Sequence, residues 1–341
     1  MAATMQLPTQ QKSVIFNTES NALSFTSSAP IPTSTTEHVI KVLATGITNG
    51  ELTWAPYVNW PTEHVPCYDV SGTIVSTVSG SRFQVGERVY GRVMANREGT
   101  AREYATILPA ETAHVPQNLT TIDAAAVPMS ALTAWQAVFE QGLLTGSYTA
   151  TSVPHVTDAG DVVGGQAKGK RVLVLGAAGS VGSLAVQFAK LAGAFVVGTA
   201  SGRNQAYVKG LGADEVVDYT KQSMAEGVAS GADRKFDLVF DCVGGKSMLD
   251  GWNAIKEDSA YISITPGFRE PEGGKPKGVR NIWFVMDSRG TELERIGRFI
   301  EKGLVKGAVD SVWQLEEFEQ AFARTATGHA KGKVIIKVAD E

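Results

Sequence analysis

"RVLVLGAAGSVGSLAVQFAKLAG", from Arg171 to Gly193, decides the fold. It opens as a short, continuously apolar run, the pattern of a strand buried on both faces. Gly176, Gly179 and Gly182 follow at three-residue spacing, and apolar residues then recur at helical intervals. A glycine-rich turn between strand and helix lets the backbone come close to a pyrophosphate, whose charge meets the N-terminal end of the helix. A glycine further along permits close helix–strand packing. The G-x-x-G-x-x-G spacing is a variant of the dinucleotide fingerprint, and by itself it also fits a tight turn that binds nothing. The buried strand before it, the apolar helix after it and the βαβ unit around it favour the nucleotide. Gly176, Ala177, Gly179, Ser180, Val181 and Gly182 are the candidate phosphate cradle.

Downstream, "AFVVGTA", "EVVDY", "FDLVFD" and "AYISIT" read as strands, with helices "NQAYVKGLG" and "KSMLDGWNAI" among them. That alternation argues for an α/β fold with a parallel, doubly wound sheet. Upstream, "KSVIF", "HVIKVLATGI", "SGTIVSTV", "ERVYGRV" and "REYATIL" read as strands separated by Gly, Pro and Asn turns. "TTIDAAAVPMSALTAWQAVFEQ" reads as a helix with a Thr or Asp cap, kinked or divided by Pro128. Amphipathic helices "TELERIGRFIEKGL" and "LEEFEQAFARTA" and a strand "GKVIIKV" make up the tail. Two polar segments stand apart, "TGSYTATSVPHVTDAGDVVGGQAKGK" and the shorter "REPEGGKPKGVR". Each is either a surface loop or a lid over a site.

The strand after the glycine turn discriminates between cofactors. An NAD site usually carries an acid about 20 residues after the loop to hold the ribose 2′-OH. Here the sequence is "VVGTASGRN", with no acid until Asp214. Ser201 and Arg203 instead suit the doubly charged 2′-phosphate of NADPH, and Lys209 and Tyr219 are further candidate contacts. Arg203 as an ordinary solvated arginine at a helix start is the competing reading.

A chain of 341 residues suggests two domains at roughly 150 residues each. The 43% apolar content fits a globular protein with a sizeable core. A net charge of -4, with no basic block, argues against nucleic acid or a membrane surface as partner. No stretch approaches the roughly 18 consecutive apolar residues of a spanning helix. The start, "MAATMQLPTQQKSVIF", lacks the pattern of a secretory signal. Cys67 and Cys242 give no disulfide framework, so the expected address is the reducing cytoplasm.

In order and spacing, many blocks resemble the medium-chain dehydrogenase/reductase superfamily. "PCYDVSGTIVSTVSGSRFQVGERVYG" resembles its P-G-x-D-x-x-G-x-V strand and F-x-x-G-D-x-V-x-G turn. "DAAAVPMSALTAWQAV", "GAAGSVGSLAVQFAK", "LGADEVVDYT", "FDLVFDCVGG" and "GHAKGKVIIKV" continue the match, most like the zinc-free quinone oxidoreductases and enone or enoyl reductases that use NADPH. The resemblance implies a partly open, GroES-like β-barrel from residues 1–132, completed by 280–341, and a Rossmann domain over 133–279. It implies a substrate cleft between them, and in some relatives a homodimer through sheet edges. Thr133 in "LTAW" would approach the nicotinamide, and Cys242, Val243 and Ile264 would flank its ribose and carboxamide.

Zinc-bearing relatives place a cysteine after a glycine in an early G-x-C segment and a histidine in G-H-E. This chain reads "GITNGEL" and "PCYDVSG" there, with Tyr68 in the histidine position. His64 and Cys67 have no evident third ligand, whereas catalytic zinc takes three. Cys67 therefore reads as a small buried hydrophobe, and the site as metal-free. Without a Lewis acid, hydride addition to a conjugated carbonyl or quinone is the easier chemistry, because the charge delocalises. Asn49, Tyr57 and Tyr68 are the candidate hydrogen-bond or proton donors. Trp54 and Trp60 are cleft walls or core. Three functions follow: an NADPH-dependent reductase of a small quinone, enone or enoyl acceptor; a biosynthetic enoyl reductase acting on a carrier-bound or secondary-metabolite intermediate; and an NADPH-binding sensor or structural protein without turnover.

Overall fold

Arg171–Leu175 forms a strand in which Val172, Leu173, Val174 and Leu175 are fully buried. It pairs in parallel with Phe195–Ala200 on one side and Phe236–Asp241 on the other. The sheet then runs out to Glu215–Asp218 at one edge and through Ile255–Ser263 to Arg280–Trp283 at the other. The chain works outward in one direction and returns to the middle to work outward in the other. The strand order therefore reverses between Arg171–Leu175 and Phe236–Asp241, and in such sheets ligands bind beyond the carboxyl ends of strands at this switch point. Trp252 stacks on Tyr261 of this sheet and on Phe268, which is tilted against Tyr261.

The molecule, a computed structural model describing residues 7–221 and 234–341, divides into two compact units. One runs to Met129 and includes Asp287–Glu301 and Gly307–Glu341; the other is Ser130–Met286 with Lys302–Lys306. The sequence reading assigns 280–341 to the first unit. Arg280–Trp283 lies instead in the parallel sheet, because it pairs with Ile255–Ser263, and Lys306 is held in the second unit by Gln187.

The first unit is built on a sheet in the order Val309–Gln314, Lys333–Lys337, His38–Ile47, Asp69–Ser76, Arg88–Arg92, Thr112–His114, with Tyr104–Ile107 also pairing with His38–Ile47. Ile40, Val42, Val70, Ile74, Phe83 and Val89 form its buried centre. A separate hairpin joins Gln10–Asn17 to Ala22–Pro30. Ala22–Pro30 alternates only briefly, at Leu23 and Phe25, before a polar run, and it is largely exposed, so its pattern marks it weakly as a strand.

The long helical stretch divides at its proline. The Thr120 hydroxyl accepts from the Asp123 N–H and caps Thr121–Ala125; Pro128 then opens Pro128–Trp135, followed by a wider π-turn over Gln136–Gln141. The Gly/Ser/Thr-rich segment forms a small hairpin, His155–Val156 with Val162–Val163. Its end is pinned where the Ala167 N–H donates to Ala192 O at 2.8 Å. Ala192 lies between helix Ser180–Leu191 and strand Phe195–Ala200, so the segment packs at the edge where the parallel strands begin, opposite the glycine turn.

Candidate functional site

The glycine turn owes its shape to two close approaches. Gly176 has a φ of 80°, which a glycine adopts without a Cβ clash. A Cβ on Gly182 would lie 2.2 Å from the Gly176 carbonyl oxygen, so only glycine lets the helix begin so near the strand. The turn is tied to the next strand: the Gly176 N–H donates to Thr199 Oγ1 at 2.9 Å and the Ala177 N–H to Thr199 O at 3.0 Å. Gly179 precedes helix Ser180–Leu191 and no side chain caps it. The first-turn N–H groups, at Ser180, Val181 and Gly182, therefore donate to no capping side chain at Gly179, and helix N-termini of this kind favour anions.

Leu175, Asp241 and Ser263 are aligned in register. Gly176, Cys242 and Ile264 are therefore the first residues past three neighbouring strand ends. The Cys242 N–H donates to Leu175 O and the Ile264 N–H to Asp241 O, both at 3.2 Å. Asp241 organises this rim. It is fully buried; Oδ1 accepts from the N–H groups of Val243 and Gly244 at 2.9 Å, and Oδ2 from Ser263 Oγ at 2.8 Å and Thr265 Oγ1 at 3.2 Å. Val243 is left half-exposed against Gly176. Burial, reinforced by Asp241, pushes the Cys242 thiol well up and keeps it neutral.

Ala200 and Asp218 are also in register, which makes Ser201 and Tyr219 neighbours beyond two further strand ends. Ser201 opens a short turn, Gly202–Asn204, on which Arg203 is exposed, and Tyr219 is 55% exposed. Asp214 faces away from this rim: Lys190 Nζ donates to it at 2.8 Å and the Val196 N–H at 2.7 Å, at the beginning of the strand. Lys209 donates to the Asp214 carbonyl, so its ammonium is drawn to that end and not to the Ser201 turn. Asp218, which sequence reasoning passed over, lies buried under the turn. Its Oδ1 accepts from the N–H and hydroxyl of Thr220, and a Cβ on Gly202 would stand 2.9 Å from its Oδ2.

In the first unit, Asn49 and Tyr57 are exposed, Tyr57 to 83%. Trp54 is half-buried and stacks on Tyr68 with ring centroids 5.7 Å apart; Tyr68 stacks on Trp60 at 6.1 Å and Trp60 on His64 at 4.2 Å. Tyr68 is completely buried and its hydroxyl is hydrogen-bonded to His64 Nε2 at 2.8 Å. Burial pushes that hydroxyl's pKa well up, with Glu51 and Cys67 adding and Arg92 opposing. The phenol is thus buried and already has a partner, and His64 lies in turn 3.5 Å from the partly exposed Glu98 carboxylate. Thr133 is buried in Pro128–Trp135 in the second unit. Cys67 is fully buried in an apolar cluster, with a φ of 67° where the P-G-x-D pattern has its glycine.

The sequence reading also missed a buried charge cluster in the first unit. Lys333 is 3% exposed, and its ammonium lies 2.6 Å from Asp69 Oδ2 and 2.9 Å from Thr48 Oγ1. Asp69 Oδ1 accepts from the Met129 N–H at 2.6 Å. Glu51 accepts from the Thr48 N–H at 2.8 Å and the Cys67 N–H at 2.9 Å. The local signals were a lysine opening the apolar "KVIIK" and an acid opening "DVSGTIV". Thr48 and Tyr68 occupy the places of the cysteine and histidine in zinc-bearing patterns. Among the described residues, no group of three His, Cys, Asp or Glu is arranged to hold a metal ion. No helix among them is long and apolar enough to cross a membrane.

A zinc-binding dehydrogenase family model matches residues 211–336, and an alcohol dehydrogenase GroES-like domain model matches residues 34–117. The probable zinc-binding oxidoreductase, mitochondrial, of Arthroderma benhamiae is 39% identical over 306 residues, 89% of this chain and 88% of its own length. The chloroplast envelope quinone oxidoreductase homolog of Arabidopsis thaliana is 32% identical over 80% of this chain and 79% of its own length. The solved quinone oxidoreductase of Coxiella burnetii superposes with a TM-score of 0.78 over 97% of this chain and 100% of that one, at 24% identity, and so speaks for the fold. The glycine turn on its parallel sheet, the β unit beside it in sequence and these matches to both lead to one assignment: the chain belongs to the medium-chain dehydrogenase/reductase superfamily of oxidoreductases.

Proposed function

We propose that the chain is an NADPH-dependent reductase that passes hydride to a small conjugated carbonyl or quinone without a metal. The observation that carries this reading is the rim of the parallel sheet. There the backbone ends at Gly176, Cys242 and Ile264 converge, and Ser201, Arg203 and Tyr219 stand together with Asp214 turned away. The N–H groups at Ser180, Val181 and Gly182 hold the pyrophosphate, and Ser201 and Arg203 hold the 2′-phosphate. Cys242, Val243 and Ile264 line the ribose and nicotinamide, in a turn held by Asp241, and Thr133 approaches the ring. A bound reduced nicotinamide supplies the hydride.

The donor set does not suit zinc. Where zinc-bearing patterns carry a thiolate and an imidazole, this chain has the Thr48 hydroxyl and the Tyr68 phenol, the latter already bonded to His64. Asn49 and Tyr57 are the exposed polar groups offered to the acceptor, whereas Tyr68 acts by supporting Trp54. The names of relatives support a quinone acceptor, and delocalisation of charge extends the class to enones. Two unpaired cysteines suit a reducing compartment such as the cytosol. We include a homodimer through the outer strand Arg280–Trp283 in this reading.

Two measurements test it. NADPH oxidation is followed against a panel of quinones, enones, aldehydes and enoyl thioesters; turnover of small quinones or enones is expected, and tight cofactor binding with no turnover would favour a sensor. Arg203→Ala should weaken NADPH by about tenfold or more, the order expected of a charge-assisted contact, and leave NADH nearly unchanged. Equal losses for both cofactors would refute the 2′-phosphate assignment.

A further inference from the structure

Lys333 is a cation in an unusual place. It opens strand Lys333–Lys337, is almost wholly buried, and its ammonium bridges Asp69 Oδ2 and Thr48 Oγ1. Room for it is made at Gly46, where a Cβ would lie 2.9 Å from Lys333 Cε. Asp69 is saturated, because its other oxygen takes the Met129 N–H. The partly exposed member of this chain of contacts is Thr48, next to exposed Asn49 and Gly50.

The Thr48 hydroxyl accepts from the ammonium, so its own hydrogen points elsewhere, to Met129 Sδ at 3.1 Å. A thioether is a weak acceptor. The result is a hydroxyl polarised by a full positive charge whose hydrogen rests on a poor partner, and an anionic oxygen would compete for it successfully. The Tyr68 hydroxyl, by contrast, is already engaged by His64.

We propose that the Thr48 hydroxyl, polarised by the buried Lys333 ammonium, donates the hydrogen bond that holds the negative oxygen of the acceptor during hydride addition. This rests on the reductase reading above. Hydride adds to the electrophilic carbon of a conjugated acceptor, and the π pair moves onto the carbonyl oxygen as an enolate. Thr48 stabilises that oxygen and keeps its proton; a proton from water completes the product. Thr48 is then a catalytic residue, and Lys333 a positioning residue acting through it.

Three variants and two readouts test this. Thr48→Val should lower kcat for a quinone and an enone about 100-fold, the usual loss on removing one oxyanion donor, with KM changed less than about threefold. Thr48→Ser, which restores the hydroxyl, should recover kcat to within a few-fold. Lys333→Met alone leaves Asp69 buried and unpaired, so it is combined with Asp69→Asn; the pair should fold and show the same kcat loss. Independently of turnover, 4-nitrophenol is titrated into the NADP⁺-loaded protein and its ionisation is read by absorbance. The wild type should favour the bound phenolate, and Thr48→Val should lose that preference. A Thr48→Val enzyme within about twofold of wild-type kcat, or equal ionisation of nitrophenol in the two proteins, would overturn the donor role. Retained kcat in the double variant would overturn the part given to Lys333. If the wild type turns over no acceptor, the reductase reading falls instead, and the nitrophenol titration still decides whether Thr48 supports an oxyanion.

Discussion

Glu51 shows how one residue can make stability depend on pH. Its carboxyl is 1% exposed, and burial pushes its pKa up to about 7 from an ordinary value near 4.5. The N–H groups of Thr48 and Cys67 and the charge of Lys333 pull it back, and Asp69 pushes it further up. The unfolded chain releases this proton near 4.5, whereas the folded chain keeps it until about 7. Between those values the native state binds more protons, so the Glu51 contribution is greatest below about 4.5, falls as pH rises to about 7 and is level above it. The thermal midpoint of the wild type should therefore fall across this window relative to that of Glu51→Gln. A constant gap between the two proteins throughout the window would sink this account.

At the level of elements, local pattern explains what could be read in advance. Arg171–Leu175, Phe236–Asp241 and Lys333–Lys337 are apolar runs that burial on both faces turns into strands, and the glycine spacing is itself local. Ala22–Pro30 escaped because none of its residues is fully buried and only Leu23 and Phe25 give it an apolar side. The cluster around Lys333 escaped for a different reason: the Lys333–Thr48 bond joins residues 285 apart, and no spacing encodes it. Asp241 escaped because only two of its four partners, the N–H groups of Val243 and Gly244, are local; Ser263 and Thr265 reach it only once two strands are in register. The segment around His155–Val163 could be read as loop or lid from composition alone, and its packing against Ala192 bears on that choice. Replacing residues 157–161 by a two-residue turn should leave NADPH affinity within about twofold of wild type, as measured by fluorescence titration. A larger loss would mean that the hairpin reaches the cofactor.

For the whole molecule, the outer strand Arg280–Trp283 ends in an exposed tryptophan, with exposed Val285 two residues on. An unpaired strand edge with apolar side chains invites another copy. Sedimentation should give a dimer for the wild type and a monomer for Trp283→Glu; a wild-type monomer would remove the dimer from the functional reading. The order of the first unit's sheet has a consequence for biosynthesis. Lys333–Lys337 lies inside that sheet, between Val309–Gln314 and His38–Ile47. A ribosome exposes His38–Ile47 early, then produces all of the second unit before it delivers this interior strand. Through most of translation the nascent β unit has an open seam, and the parallel-sheet unit can mature first. Chaperone demand should peak in that interval, and stalling the ribosome just before residue 333 should trap a chain with one half folded.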